Sequence, residues 1–327
     1  MNWNGRKVLV TGAGGFIGSH LAERLAELGA RPRALVHYRA DGSQGWLDHS
    51  SQKQGIEVVP GDICDRDCLD RAMKDVETVF HLAALIAIPY SYHAPASYVR
   101  TNVEGTLNVL QSARVHRVAR VVHTSTSEVY GTAVRVPIDE GHPLQAQSPY
   151  AATKIAADKL AEAFYCSYGL PVVTVRPFNT FGPRQSSRAV IPTIITQCLN
   201  GGTVRLGNVA PTRDLNYVGD TVEGFLRAAA APDAIGRTIN LGSGREISIR
   251  DLALTVARLL DKTIAIETDA QRIRPDASEV DRLVADSSLA GTLLGWTSRI
   301  ALEEGLRLTI EWMRANLDRY RPGVYAI

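Results

Sequence analysis

Three stretches of this 327-residue chain carry side chains that could do chemistry together. "TGAGGFIGSH" sets Gly12, Gly15 and Gly18 at every third position between a strand and a helix. "HTSTSEVYG" puts Thr126, Ser127 and Glu128 where a buried strand ends, and "SPYAATK" places Tyr150 and Lys154 four residues apart. In a helix that last spacing puts both side chains on one face. A free phenol has a pKa of about 10. A neighbouring ammonium, with the positive ring of an oxidised nicotinamide, favours phenolate and lowers that value. A phenol so tuned can take the proton from a sugar hydroxyl while the carbon bearing it gives hydride to the cofactor.

The glycine loop supplies the place for such a cofactor. Glycines let the backbone turn sharply and approach a pyrophosphate, and the helix that follows offers free amide donors and a partial positive charge. The candidates for the cofactor are Gly12, Gly15, Phe16, Ile17 and Gly18, then Arg39, Asp62 with Ile63, Ala83, and Tyr150 with Lys154. The second strand ends "VHYRADG", without the acidic residue that would hold a ribose 2′-hydroxyl. Arg39 could pair with a 2′-phosphate or be solvated, so NAD+ is expected and NADP+ stays open. Asp62, in "GDICD", could accept from an adenine amine or cap the following helix.

These residues need a frame. "RKVLVTG", "RPRALVHY", "IEVVPGD", "TVFHLAA", "VARVVHTST" and "LPVVTVRP" read as six strands, separated mostly by helical segments such as "APASYVRTNVEGTLNVLQSARVH" and "SPYAATKIAADKLAEAFYCSYG". Near-continuous apolar strands alternating with helices predict an α/β, Rossmann-type doubly wound parallel sheet, with its site at the carboxyl ends of the strands. After about Pro177 loops lengthen and strands shorten. The expected division is residues 1–177 for the dinucleotide-binding layer and 178–327 for a smaller, less regular substrate lobe. Some segments, "RTINLGSG" among them, could return to the main sheet.

Composition bounds the function. The chain is 45% hydrophobic and 21% charged with a formal net charge of +2, which gives no footing for nucleic acid or a membrane surface. No apolar run is long enough to span a bilayer, and the start has no signal-peptide pattern. Cys64, Cys68, Cys166 and Cys198 are too scattered for a disulfide framework or a zinc site. Reduced thiols in a cytoplasmic protein, with no metal, are expected.

With the glycine loop, "HTST", Tyr150 and Lys154, and then "RPFNTFGPR" and "RDLNYVGD", the chain resembles the extended short-chain dehydrogenase/reductases that rebuild nucleotide-activated sugars. The resemblance implies a triad of Thr126, Tyr150 and Lys154. It implies Asn179 and Arg213 on the sugar nucleotide's diphosphate, with Arg274 as helper, a role suited to forked cationic donors. The alternative for Arg213 is a surface pair with Asp214. Tyr90, Tyr92 and Arg188 could touch substrate or only pack their loops. The same family's helices pair across a two-fold axis, which implies a homodimer through a four-helix bundle.

Glu128 divides the family's reactions. Oxidation at C4 acidifies the C5 hydrogen, and a carboxylate there could remove it while the C6 hydroxyl leaves as water, a 4,6-dehydration. Thr126-Ser127-Glu128 resembles the GDP-mannose 4,6-dehydratase version, in which no second acid is present and Glu128 would also protonate the leaving water. The trio occurs in UDP-glucuronate decarboxylases too, where Ser127 and Glu128 would only order the substrate, and a 4-epimerase needs no base here. The wording from His123 to Gln197 is most similar to dehydratases of nonulosonic (legionaminic) acid pathways. A non-catalytic dinucleotide sensor would be expected to lose the phenol or the lysine.

Overall fold

The computed structural model describes residues 2–320. The six expected strands form as β1 (Lys7–Thr11), β2 (Arg31–Val36), β3 (Glu57–Pro60), β4 (Thr78–His81), β5 (Arg120–Thr124) and β6 (Val172–Pro177). Between them lie α1 (Phe16–Glu27), α2 (Arg66–Met73), α3 (Ile88–His93), α4 (Pro95–Tyr98), α5 (Gly105–Val115) and α6 (Pro149–Tyr168). Because strand side chains alternate between faces, Val8 and Val10 join one core with Leu21 and Leu25 of α1, while Leu9 joins the other with Leu69 of α2, Leu110 of α5 and Phe164 of α6.

Beyond Pro177 come β7 (Asn179–Phe181), α7 (Val190–Asn200), β8 (Thr203–Leu206), β9 (Thr212–Tyr217), α8 (Val218–Ala230) and β10 (Thr238–Leu241). They are followed by β11 (Glu246–Ser248), α9 (Ile249–Leu259), β12 (Ala265–Thr268), β13 (Arg282–Leu283), α10 (Ser288–Leu294) and α11 (Leu302–Ala315). β10 pairs with β6 and completes a seven-stranded sheet, in the order β10-β6-β5-β4-β1-β2-β3, whose paired strands are all parallel. The order reverses between β1 and β4, where sheets of this kind open a crevice for ligands. α8 and α10 cover the α1 face of that sheet. The second lobe has its own core, with Ile194, Ile195, Leu252, Val256, Leu306 and Ile310, beside two small sheets.

One helix departs from expectation. The pattern over 94–116 predicts a single run, but a π-helical segment, Val99–Glu104, interrupts it. There Asn102 is buried; its amide receives Leu85 N (2.8 Å) and donates to Leu85 O (2.9 Å) and Thr153 Oγ1 (3.1 Å). The bulge ties the loop after β4 to α6. The start of α6 is fixed separately, with Pro149 in its first turn and the Ser148 hydroxyl accepting from Ala151 N.

Asp214 of β9 joins the two layers. Fully buried, its carboxylate accepts from Ser243 N (2.8 Å), Ser243 Oγ (2.6 Å), Gly244 N (2.9 Å) and Ala285 N (3.0 Å). Truncation would strand several buried donors. Asp214→Ala is therefore expected to lower the unfolding free energy by about 3 kcal/mol, measured by urea denaturation; a loss below about 0.5 kcal/mol would mean that the layers are held by other contacts.

Candidate active site

The cleft is assembled at the carboxyl ends of β1, β4 and β5. After β1 the chain turns at Gly12, whose φ is +69°, and a Cβ there would stand 2.8 Å from Ala83 N. A Cβ on Gly18 would lie 2.3 Å from Gly12 O. Gly15 occupies the N-cap position of α1 without a side-chain cap, leaving the first amides of Phe16 and Ile17 toward the turn. Backbone packed this closely around free helix amides is the cradle a pyrophosphate needs, so these residues fit a dinucleotide. Thr11 Oγ1 holds the crevice's rim by accepting from Leu82 N and Ala83 N, both at 3.1 Å. That leaves the Thr11 hydroxyl proton for His81 Nδ1 (2.9 Å), and His81 Nε2–H then donates to Thr106 Oγ1 (3.0 Å), whose own proton goes to Asn102 O. This fixes His81 as the neutral Nε2–H tautomer, in line with its burial, which holds it well below the ordinary histidine range.

The remaining cofactor candidates lie beyond the carboxyl ends of the paired strands β2 and β3. Asp62 accepts from Cys64 N (2.8 Å), while Asp65 caps α2, so the capping alternative for Asp62 does not apply. Ile63 is buried in the core. Arg39 stands exposed on the turn after β2, its carbonyl receiving Gly42 N.

Tyr150 and Lys154 enter from α6, both buried. The expected lowering of the phenol counts the nicotinamide ring together with the ammonium, and the chain's own groups run the other way. Burial pushes Tyr150 up, a hydrogen bond with Thr126 works against that, and the Glu128 carboxylate adds to the rise. Lys154 instead points Nζ at Thr124 O (2.6 Å), and its burial lowers the ammonium to about 8. The phenol thus needs a second positive charge before phenolate is accessible. The Thr126 hydroxyl also accepts from Glu128 N (3.2 Å) and starts the single turn Ser127–Tyr130. Ser127 is buried and Glu128 half-buried.

The second lobe faces this turn with cations. Arg213 of β9 is buried rather than paired at the surface with Asp214. It donates to Thr212 O (2.9 Å) and lies 3.3 Å from Glu279 Oε1. Burial lowers its guanidinium, Glu128 and Glu279 oppose this, and Arg274 reinforces it. Arg274 Nη1 lies 3.5 Å from the same Glu279 oxygen and, like Asn179 Oδ1, is buried without a hydrogen-bond partner. Both atoms retain hydrogen-bonding capacity that a ligand could use. Arg188 Nε donates to Ser186 Oγ (3.3 Å), Tyr90 is exposed beside Tyr98, and Tyr92 bonds to Ser278 Oγ (2.6 Å). Glu279, Ser278, Gln147 and Asp158 were missed by the sequence reading; of these only Asp158, one turn beyond Lys154, left a readable signal.

The comparisons agree with this geometry. The model of the GDP-mannose 4,6 dehydratase family matches residues 9–309. The chain belongs to that family. It is therefore an enzyme with a Rossmann-type fold. The dTDP-glucose 4,6-dehydratase of an Actinoplanes species is 33% identical over 95% of this chain and 98% of its own. The UDP-glucose 4-epimerase of Mycolicibacterium smegmatis is also 33% identical, over 94% of this chain and 98% of its own. Among solved structures, the dTDP-glucose 4,6-dehydratase of Streptomyces venezuelae, with NAD bound, superposes with a TM-score of 0.87 at 31% identity, covering 96% of this chain and 99% of that one. Family membership thus leaves open whether dehydration or epimerisation is run. Among the described residues no helix is long and apolar enough to cross a membrane, and no group of three or more metal-binding side chains occurs.

Gly18→Ala tests the cradle. A Cβ that overlaps Gly12 O forces α1 away from the turn, which is expected to cost about 1–3 kcal/mol of stability and to weaken dinucleotide binding at least about tenfold. Urea unfolding and titration calorimetry read the two effects.

Proposed function

We propose that this protein is a nucleotide-sugar 4,6-dehydratase that uses NAD held by Gly12, Gly15, Phe16, Ile17, Gly18 and Ala83, and that turns a nucleoside-diphosphate hexose into its 4-keto-6-deoxy form. The observation that carries the reading is Glu128, a half-buried carboxylate on the turn after β5, near enough to both Tyr150 and Arg213 for its charge to act on each. NAD, when bound, supplies a reversible hydride acceptor and a positive ring. That ring is the second cation the Tyr150 phenol needs.

Each residue then has a task. Thr126 and Tyr150 hold the C4 hydroxyl, and Tyr150 accepts its proton as C4 becomes a ketone. The C5 hydrogen is now acidic. Glu128 takes it, then gives a proton to the C6 hydroxyl, which departs as water and leaves a C5–C6 double bond. Reduction at C6 and return of a proton to C5 complete a redox-neutral cycle. Ser127 is no acid at neutral pH, which leaves both transfers to Glu128. Arg213, Arg274 and Asn179 are the diphosphate's partners. Lobes divided near residue 178 suit this assignment of tasks, and Val99, Val115, Tyr165 and Tyr168, exposed along α5 and α6 or just before them, suit a homodimer through those helices.

A 4-epimerase is the second reading, favoured by the equally similar Mycolicibacterium relative. Incubation with UDP-, GDP-, CDP- and dTDP-hexoses, and with a UDP-linked uronic acid, in deuterated water separates these reactions. A product lighter by one water with deuterium at C5 is expected; unchanged mass, inverted C4 and no C5 exchange would make the protein an epimerase, and loss of carbon dioxide from a uronic acid would make it a decarboxylase. Tyr150→Phe and Glu128→Gln are each expected to slow dehydration about 10²–10⁴-fold, with nucleotide binding kept. Glu128→Gln at wild-type rate would remove the base from the mechanism.

A further inference from the structure

One turn along α6 from Lys154, the Asp158 side chain is 5% exposed. Four donors converge on its carboxylate: His123 Nε2 (3.1 Å) and Ser125 Oγ (2.7 Å), from the end of β5 and the residue after it, and Arg176 Nε (3.2 Å) and Nη2 (2.9 Å) from β6. The residue between His123 and Ser125 is Thr124, whose carbonyl takes the Lys154 ammonium. One short stretch of chain therefore anchors the carboxylate with two side chains and the ammonium with the carbonyl between them. At i and i+4 the two charges share a helix face, with Cβ atoms about 5–6 Å apart.

The charges facing this carboxylate can be counted by element. α6 contributes Lys154 and the Tyr150 phenol, β5 contributes His123, and β6 contributes Arg176. The Tyr130 hydroxyl lies behind Arg176 Nη1 (3.0 Å), and the His81 ring of β4 lies 5.8 Å from that of His123. Glu140, Lys159, Glu162 and Arg237 line, with Asp158 and Arg176, a cavity of about 550 Å³ on this side of the helix. His123 is neutral, since burial lowers it, so the buried charges are Lys154 and Arg176 against Asp158 alone. Removing that one carboxylate would leave two cations together in a dry place, where like charges disfavour ionisation.

We propose that Asp158 is a positioning residue that keeps Lys154 in the ammonium form on which the Tyr150 chemistry depends. Arg176, His123 and Ser125 hold the carboxylate in place for that task. The inference rests on the Tyr150–Lys154 roles proposed above. Its direction follows from the charges around Lys154: burial lowers the ammonium, and Asp158 is the charge that opposes it. Burial would raise Asp158 itself, but His123, Arg176 and Lys154 together carry it down to about 2, so it is ionised wherever the enzyme works.

The test titrates Lys154 directly. The chain has six lysines (Lys7, Lys53, Lys74, Lys154, Lys159 and Lys262), few enough for NMR of protein labelled with ¹³C at lysine Cε, with Lys154→Met giving the assignment. In the wild type Lys154 is expected to titrate at about 8. In Asp158→Asn, and in the charge-balanced Asp158→Asn/Arg176→Gln, the midpoint is expected to fall by about one pH unit or more. The double variant separates this from a structural role, because it leaves no cation unpaired and the cavity gives its amides room for water. An unmoved midpoint in a double variant of wild-type stability overturns the proposal, and so does a double variant that does not fold. The alkaline limb of the dehydration profile should move the same way. Tyr150→Phe at wild-type turnover would sink the tyrosine reading, a result independent of where Lys154 titrates.

Discussion

A lysine ammonium stripped of water sets the terms for the rest of this site. Taking such a charge out of water costs several kcal/mol even after relaxation, and Lys154 is 4% exposed. The fold answers with one backbone carbonyl, which takes the ammonium at the end of β5, and with the charge of one carboxylate, one turn along α6. Both depend on the register of β5 against β6, because a one-residue slip would turn His123 and Ser125 to the other face of the sheet. The same register brings Thr126 and Glu128 out at the strand's end. Buried charge, strand pairing and the candidate acid–base groups are thus one arrangement seen from three sides.

The second lobe solves a related problem differently. Arg213 and Arg274 share a single oxygen of Glu279. The segment carrying Glu279 is stitched to the loop before α6, with Gln147 Nε2 donating to Ala277 O (3.1 Å) and Glu279 O (3.3 Å) and Ser278 Oγ donating to Gln147 O (2.5 Å). A diphosphate entering here would find its cations already oriented and half-neutralised. That lowers the ordering cost of binding and trades away some attraction.

Much of this was legible in the sequence. The six strands, the glycine cradle, the return of β10 and the pairing of Tyr150 with Lys154 on one helix face follow from periodicity and glycine spacing, which are local signals. What was not legible depended on long-range register. The β1–β4 rim tied by Thr11 and His81 links residues 70 apart. The burial of Arg213 depends on Glu279, from a loop with no regular pattern. The break at Val99–Glu104 has no marker, since its residues suit an ordinary helix; what selects it is the set of hydrogen bonds Asn102 gains by turning inward. The Tyr150 expectation credited an ammonium and a nicotinamide ring and left out the desolvation of the buried phenol, which among the chain's own groups is the largest influence.

The chain's route between the layers has a mechanical consequence. It leaves the main sheet after β6 for β7 and β9, comes back as α8 and β10, departs for β11 to β13, and returns once more as α10 before α11 joins the core of the second lobe. Asp214 clamps one of these crossings. Asp220 clamps another, its carboxylate accepting from Arg299 N (2.9 Å) and Ile300 N (2.8 Å). Two bodies sewn together at so many points have no free axis to swing about. A ligand entering the cleft would meet walls whose spacing these clamps hold.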